Sequence, residues 1–121
     1  MVVKKTISDT DSDNKPVTSK KLMASLEAID AFCDICWLED GLSKNSLSAY
    51  RRDLMLFARW LDAETSGAKG LYDVLAADVM GYMSYRRGDK ATTANRRLTV
   101  LKRFYRLGIR KHYIKVDPCI N

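Results

Sequence analysis

Between Pro16 and Pro118, the only two prolines in the chain, apolar residues recur at intervals of three and four. That rhythm marks helices with one buried face, and an interior free of proline lets such helices run unbroken. Period-two alternation is not sustained, so strand signals are weak. Four helices are expected. The first covers 21–40, with Leu22, Leu26, Ile29, Phe32, Cys33, Cys36 and Trp37 inward, and Gly41 stops it. The second starts after Ser43 as N-cap and runs to 64, burying Leu47, Tyr50, Leu54, Phe57, Ala58 and Leu61. After a loop over 65–70 and a short helical turn over 71–75, the third begins at Asp78 as N-cap. It carries Val79, Met80 and Met83 and ends near Arg87-Gly88. The fourth is capped by Thr92 or Thr93 and runs to 109, with Leu98, Leu101, Phe104 and Tyr105 inward. The expected fold class is all-α, a compact bundle of four to five helices whose short connections favour antiparallel neighbours.

The full chain has 121 residues, enough for one domain and one core. Residues 1–20 are rich in Ser, Thr, Asp and Lys without hydrophobic periodicity, and they read as a disordered leader. Residues 21–116 form the domain, and 117–121 read as the start of a linker. The longest apolar run, Leu54 to Ala58, is far short of the ~20 residues a membrane helix needs. No apolar segment follows Met1 as a secretory signal would require. With that and three cysteines, the expectation is a cytoplasmic protein without a disulfide framework. The Cys33-x-x-Cys36 pair, His112 and Cys119 could be weighed as zinc ligands, but both paired cysteines lie on an apolar stripe and read as core residues. Trp37 and Trp60 are expected as core anchors, and Phe104 and Tyr105 as packed rather than base-stacking. No cofactor and no metal are expected.

The formal charge of +6 permits a nucleic-acid partner without demanding one. Its distribution says more. Helix one holds Glu27, Asp30, Asp34, Glu39 and Asp40 against Lys21. The stretch 86–115 holds eleven bases and a single acid, Asp89. On a helical wheel, Asn95, Arg96, Thr99, Lys102, Arg103 and Arg106 share one face of helix four, with no acid of that helix among them. That face forgoes the usual support from opposite charges one turn away. Arg97 falls toward the apolar side and is assigned a structural role in an ion pair. Helix two shows a milder basic flank: Lys44, Asn45, Ser48, Arg51, Arg52 and Arg59, diluted by Asp62. Small polar residues beside bases suit DNA, where phosphate contacts position and base-edge contacts specify.

The residues from Trp37 to Leu54, with Ala49-Tyr50-Arg51-Arg52-Asp53-Leu54 at their end, resemble the N-terminal core-binding domain of Xer-type tyrosine recombinases and phage integrases. A second match, Thr93-Ala-Asn-Arg-Arg-Leu-Thr-Val-Leu-Lys-Arg-Phe-Tyr105, resembles that family's last long helix. The resemblance covers 22–118. It implies a SAM-like helical domain forming half of a C-shaped clamp around double-stranded DNA, its second and fourth helices near the major groove. It carries over Ser43, Lys44, Asn45, Ser46 and Arg51 on helix two, and Thr93, Asn95, Arg96, Thr99 and Arg103 on helix four. The charged faces add Ser48, Arg52, Lys102 and Arg106. Tyr50 is expected in the core with its hydroxyl at the DNA edge. The family's catalytic set (two arginines, a lysine, histidines and a nucleophilic tyrosine) belongs to a C-terminal domain. His112 alone cannot supply it, so a DNA-binding fragment that performs no strand exchange is expected. Its partners would be duplex DNA and, in the parent protein, other recombinase protomers, with no membrane; the fragment itself would be monomeric. Two alternatives stand beside this. One is a helical protein-interaction module in which the acidic helix one pairs with the basic helix four between copies. The other is a helix-turn-helix regulator with a tight turn between helices three and four.

Overall fold

The computed structural model describes residues 18–119, and among them there are helices and turns but no strand. The order is α1 (Lys20–Asp40), α2 (Lys44–Glu64), a 3₁₀ turn (Leu71–Asp73), α3 (Ala76–Tyr85) and α4 (Ala91–Arg110). Residues 1–17 of the expected leader lie outside the described residues. Ser19 and Lys20 belong to α1, as its cap and its first residue.

Local chemistry sets most of these limits. Ser19 Oγ accepts the Leu22 amide at 2.9 Å and donates to Asp62 of α2. Gly41 ends α1 in the left-handed region, φ 63°, its amide returning to the Cys36 carbonyl. Ser43 caps α2 by accepting the Ser46 amide at 3.1 Å. The 3₁₀ turn is fastened from both sides. Buried Ser25 accepts the Leu71 amide at 2.9 Å, and the Tyr105 hydroxyl donates to the Leu71 carbonyl at 2.7 Å. A Cβ on Gly70 would lie 3.0 Å from both the Lys21 carbonyl and Ser25 Oγ, so that close approach requires glycine.

Two helix starts differ from expectation. α3 begins at Ala76, two residues before Asp78; Asp78 acts from inside the first turn, accepting the Leu75 amide at 2.9 Å. A carboxylate serves equally at either place, so sequence does not separate the two. α4 begins at Ala91 with Lys90 in the cap position, which puts Thr92 and Thr93 in its first turn rather than at its cap. α3 also stops at Tyr85, short of Arg87-Gly88.

The core joins Ile29, Phe32, Cys33 and Cys36 of α1 to Leu54, Phe57, Ala58 and Leu61 of α2, and to Val100, Leu101, Phe104 and Tyr105 of α4. Phe32 meets Phe104 edge-on at 5.5 Å between ring centres, and Tyr82 of α3 lies 4.8 Å from Phe57. α2 is the central element, packed along α1 and across α4. Trp60 is half-buried in this aromatic group. Trp37 is not a core anchor; it is 48% exposed. At ~100° per residue it lies about 90° round from the centre of the buried stripe of α1, where no element covers it. Met80 is likewise exposed, and Val79 and Tyr82 are the buried residues of α3. At the other end of the described chain, inside the expected linker, Pro118 is buried and Cys119 packs partly against the core.

Candidate nucleic-acid interface

The seam between α2 and α4 organises the basic residues. Asp53 lies on the apolar stripe of α2 between Tyr50 and Leu54, with its side chain 2% exposed. It takes Arg96 of α4 in a two-point grip, Nε to Oδ2 at 2.8 Å and Nη2 to Oδ1 at 3.0 Å. That hydrogen bond raises the Arg96 pKa. Farther along α4, Arg103 donates to the Tyr50 hydroxyl at 3.2 Å and pairs with Asp40 of α1. Its guanidinium also sits 5.6 Å from the centre of the Tyr50 ring. Burial alone would lower the Arg103 pKa, but the Tyr50 hydroxyl and the nearby negative charge raise it.

The expected DNA-facing residues thus divide. Lys44, Asn45, Ser48 and Arg52 on α2 are exposed, as are Asn95, Thr99, Lys102 and Arg106 on α4; Arg59 is exposed too. Among the described residues Lys44, Arg52, Arg59, Lys102 and Arg106 form no ion pair. Ser46 and Thr93 are half-buried. Ser43 spends its oxygen on the cap. Arg51 turns from the seam to Asp30 of α1, and that hydrogen bond raises its pKa. Arg110 reaches Glu39 at 3.4 Å. By helical spacing Arg96, Thr99, Arg103 and Arg106 form one line along α4; Arg96 meets Asp53 of α2, and Arg103 and Arg106 border Glu39 and Asp40 of α1. Asn45 and Arg52 lie on the exposed face of α2, about 80–100° round from Asp53.

The face of α4 does not forgo charge pairing after all. Its acids come from other helices: Asp53 from α2, Asp40 and Glu39 from α1. Sequence reasoning missed Asp53 as a partner. The available signal was a carboxylate at core spacing between Tyr50 and Phe57, which requires a cation. Arg97 is buried as expected, 1% exposed, paired with Asp89 and set 5.7 Å from the Tyr82 ring centre. Tyr50 is half-buried with its hydroxyl engaged by Arg103. Phe104 and Tyr105 are in the core. Burial pushes the Tyr105 hydroxyl well above its ordinary pKa, raises the Cys33 and Cys36 thiols, and takes Cys119 up to about 11. Among the described residues no group of three or more His, Cys, Asp or Glu is arranged to hold a metal ion, and no helix is long and apolar enough to cross a membrane.

The sequence matches the family described as phage integrase, N-terminal SAM-like domain, over residues 29–112. The chain belongs to this family. As an integrase SAM-like domain it is similar to the tyrosine recombinase XerD of Ralstonia nicotianae, 48% identical over 96 residues that make up 78% of this chain and 30% of the relative. It is 44% identical to XerD of Shewanella oneidensis over 92 residues, 74% of this chain and 30% of the relative. With XerD of Pseudomonas aeruginosa it shares 37% identity over 100 residues, 81% of this chain and 33% of the relative. The chain therefore spans about 30% of the length of the curated relatives it matches. No solved structure matches it significantly. The SAM-like assignment agrees with the four-helix architecture, and the matched span runs from the middle of α1 through the end of α4.

Proposed function

We propose that this chain is the core-binding domain of an XerD-like tyrosine recombinase, which grips duplex DNA through α2 and α4. The observation that carries the reading is the α2–α4 seam. Arg96 and Arg103 are anchored along it. Arg106 continues the line of Arg96, Thr99 and Arg103 along α4 and Arg52 stands exposed on α2, and neither Arg52 nor Arg106 has an ion pair among the described residues. Cations and short polar side chains along a helix edge suit phosphates and base edges. Neither the first turn of α2 nor that of α4 carries an acid to oppose phosphate there. Strand exchange is not part of this reading. The chain matches about 30% of the length of its XerD relatives, and a tyrosine nucleophile works only with cationic donors around the phosphate and a positioned acid/base.

The interaction-module alternative is less well supported. Acids of α1 already meet Arg51, Arg103 and Arg110 within one chain. For a helix-turn-helix, the 86–90 connection is longer than the ~3–4-residue turn of that motif. The test is a salt titration of binding to duplex DNA by the native chain, Arg96→Ala and Arg103→Ala. Each substitution should weaken binding and lower the salt slope by ~0.9 for each phosphate no longer neutralised. Unchanged affinity and slope in both variants would sink the assignment. Self-association by light scattering without any DNA binding would favour the alternative.

A further inference from the structure

We propose that Asp53 is a positioning residue: through its two-point grip on Arg96 it holds that guanidinium in the orientation that meets a DNA phosphate. The inference rests on the DNA-binding reading and adds to it a residue that does not itself touch DNA. Both Asp53 oxygens are engaged, at 2.8 and 3.0 Å, by the Nε–Nη2 edge of Arg96. The carboxylate is buried while the arginine side chain is 41% exposed. One edge of the guanidinium is therefore fixed to the α2 side of the seam. The Nη1 donors and the outer Nη2 proton are left for an anion.

Two physical arguments favour positioning over stability alone. A buried ion pair is a weak stabiliser, often matched by apolar side chains of similar volume. A long side chain also loses rotamer freedom when it meets a ligand, and one already held in place loses less. The side-on grip uses the fork geometry peculiar to arginine, which a lysine in its place would lack. Arg106, on the same edge of α4, has no ion pair of this kind among the described residues and meets an anion as an unrestrained cation.

The experiment measures binding of the 121-residue chain to a mixed-sequence duplex at low salt, with thermal melts in parallel. Asp53→Asn and Arg96→Ala should each lose about tenfold in affinity, and the double variant should be no weaker than Arg96→Ala, because both act through one phosphate contact. Native-like binding by Asp53→Asn, or losses that add in full, overturns the positioning role. Should Asp53→Asn fail to fold, Arg96→Lys decides. It keeps the charge and a partner for Asp53 but not the fork, so it should lose nearly as much as Arg96→Ala, and native-like binding would overturn the proposal. Failure of the native chain to bind duplex would instead overturn the DNA-binding reading, and it is seen before any substitution is made.

Discussion

Arg97 shows what a single residue can carry without entering a site. Its guanidinium is 1% exposed, and among the described residues only Nη2 has a hydrogen-bond partner, Asp89. Nε and Nη1 have none among the described residues, nor does the neighbouring Tyr82 hydroxyl. Asp89 also takes Arg86 Nε at 2.9 Å, and hydrogen bonds from the two arginines, Arg97 first, hold its carboxyl below the usual range. A charge desolvated to this degree with one partner is costly to keep. The stem of the side chain nonetheless fills space beside Tyr82 that an alanine would leave empty. Arg97→Met should therefore stay within about 1 kcal/mol of native stability in urea unfolding, since it keeps the volume and removes the desolvated charge. Asp89→Ala should cost more, because it leaves the buried cation without its counter-ion. The reverse order would show that the pair is a net stabiliser. The position of Arg97 was legible from its phase on the helix; its partner, eight residues earlier in a turn, was not.

At the scale of elements, chain ends marked by one residue's own chemistry were legible. Gly41 and Ser43 stop α1 and start α2 because a left-handed turn and a side-chain cap need those residue types. The start of α3 was not, since a carboxylate can serve at the cap or three residues inside. Asp78 accepts the Leu75 amide and also pairs with Lys69 Nζ at 2.8 Å. Burial alone would raise its pKa, yet the Lys69 and Leu75 hydrogen bonds outweigh that and hold it below the ordinary carboxylate value. A group depressed in the folded state stabilises above its unfolded pKa, ~3.9, and loses that contribution as pH falls through the lower folded value. Asp78→Asn should thus cost about 0.5–1 kcal/mol at neutral pH, and its deficit relative to native should shrink below about pH 4. Unfolding curves across pH would reveal this; a deficit that stays constant down to about pH 2 would deny the charge a role. The exposure of Trp37 and Met80 belongs to this scale too. Each lies within reach of an apolar stripe on a wheel, and only the placement of neighbouring helices decides whether a stripe's edge is covered.

For the molecule as a whole, the separation of charge along the chain has two possible consequences that sequence does not distinguish. Opposite charges in separate helices can pair within one fold or stay open to a partner. Here pairing takes some of the cations and leaves others. Asp30, Asp40 and Glu39 of α1 neutralise Arg51, Arg103 and Arg110, while Arg52 and Arg106 have no ion-pair partner among the described residues. Wheel analysis located the basic edge of α4 but could not tell anchored cations from free ones, because that depends on which helix lies alongside. The distinction is measurable. Substituting Arg52 and Arg106 together with alanine removes surface charges that hold nothing in the fold, so stability should change by less than about 0.5 kcal/mol. If both meet phosphates, the slope of log affinity against log salt should fall by about 2. Arg103→Ala should differ in kind, weakening DNA binding and stability together, because it also gives up Asp40 and Tyr50. Equal slopes for the native chain and the double variant would show that neither Arg52 nor Arg106 meets a phosphate and would leave the contact to Arg96, Arg103 and the other exposed cations of α2 and α4.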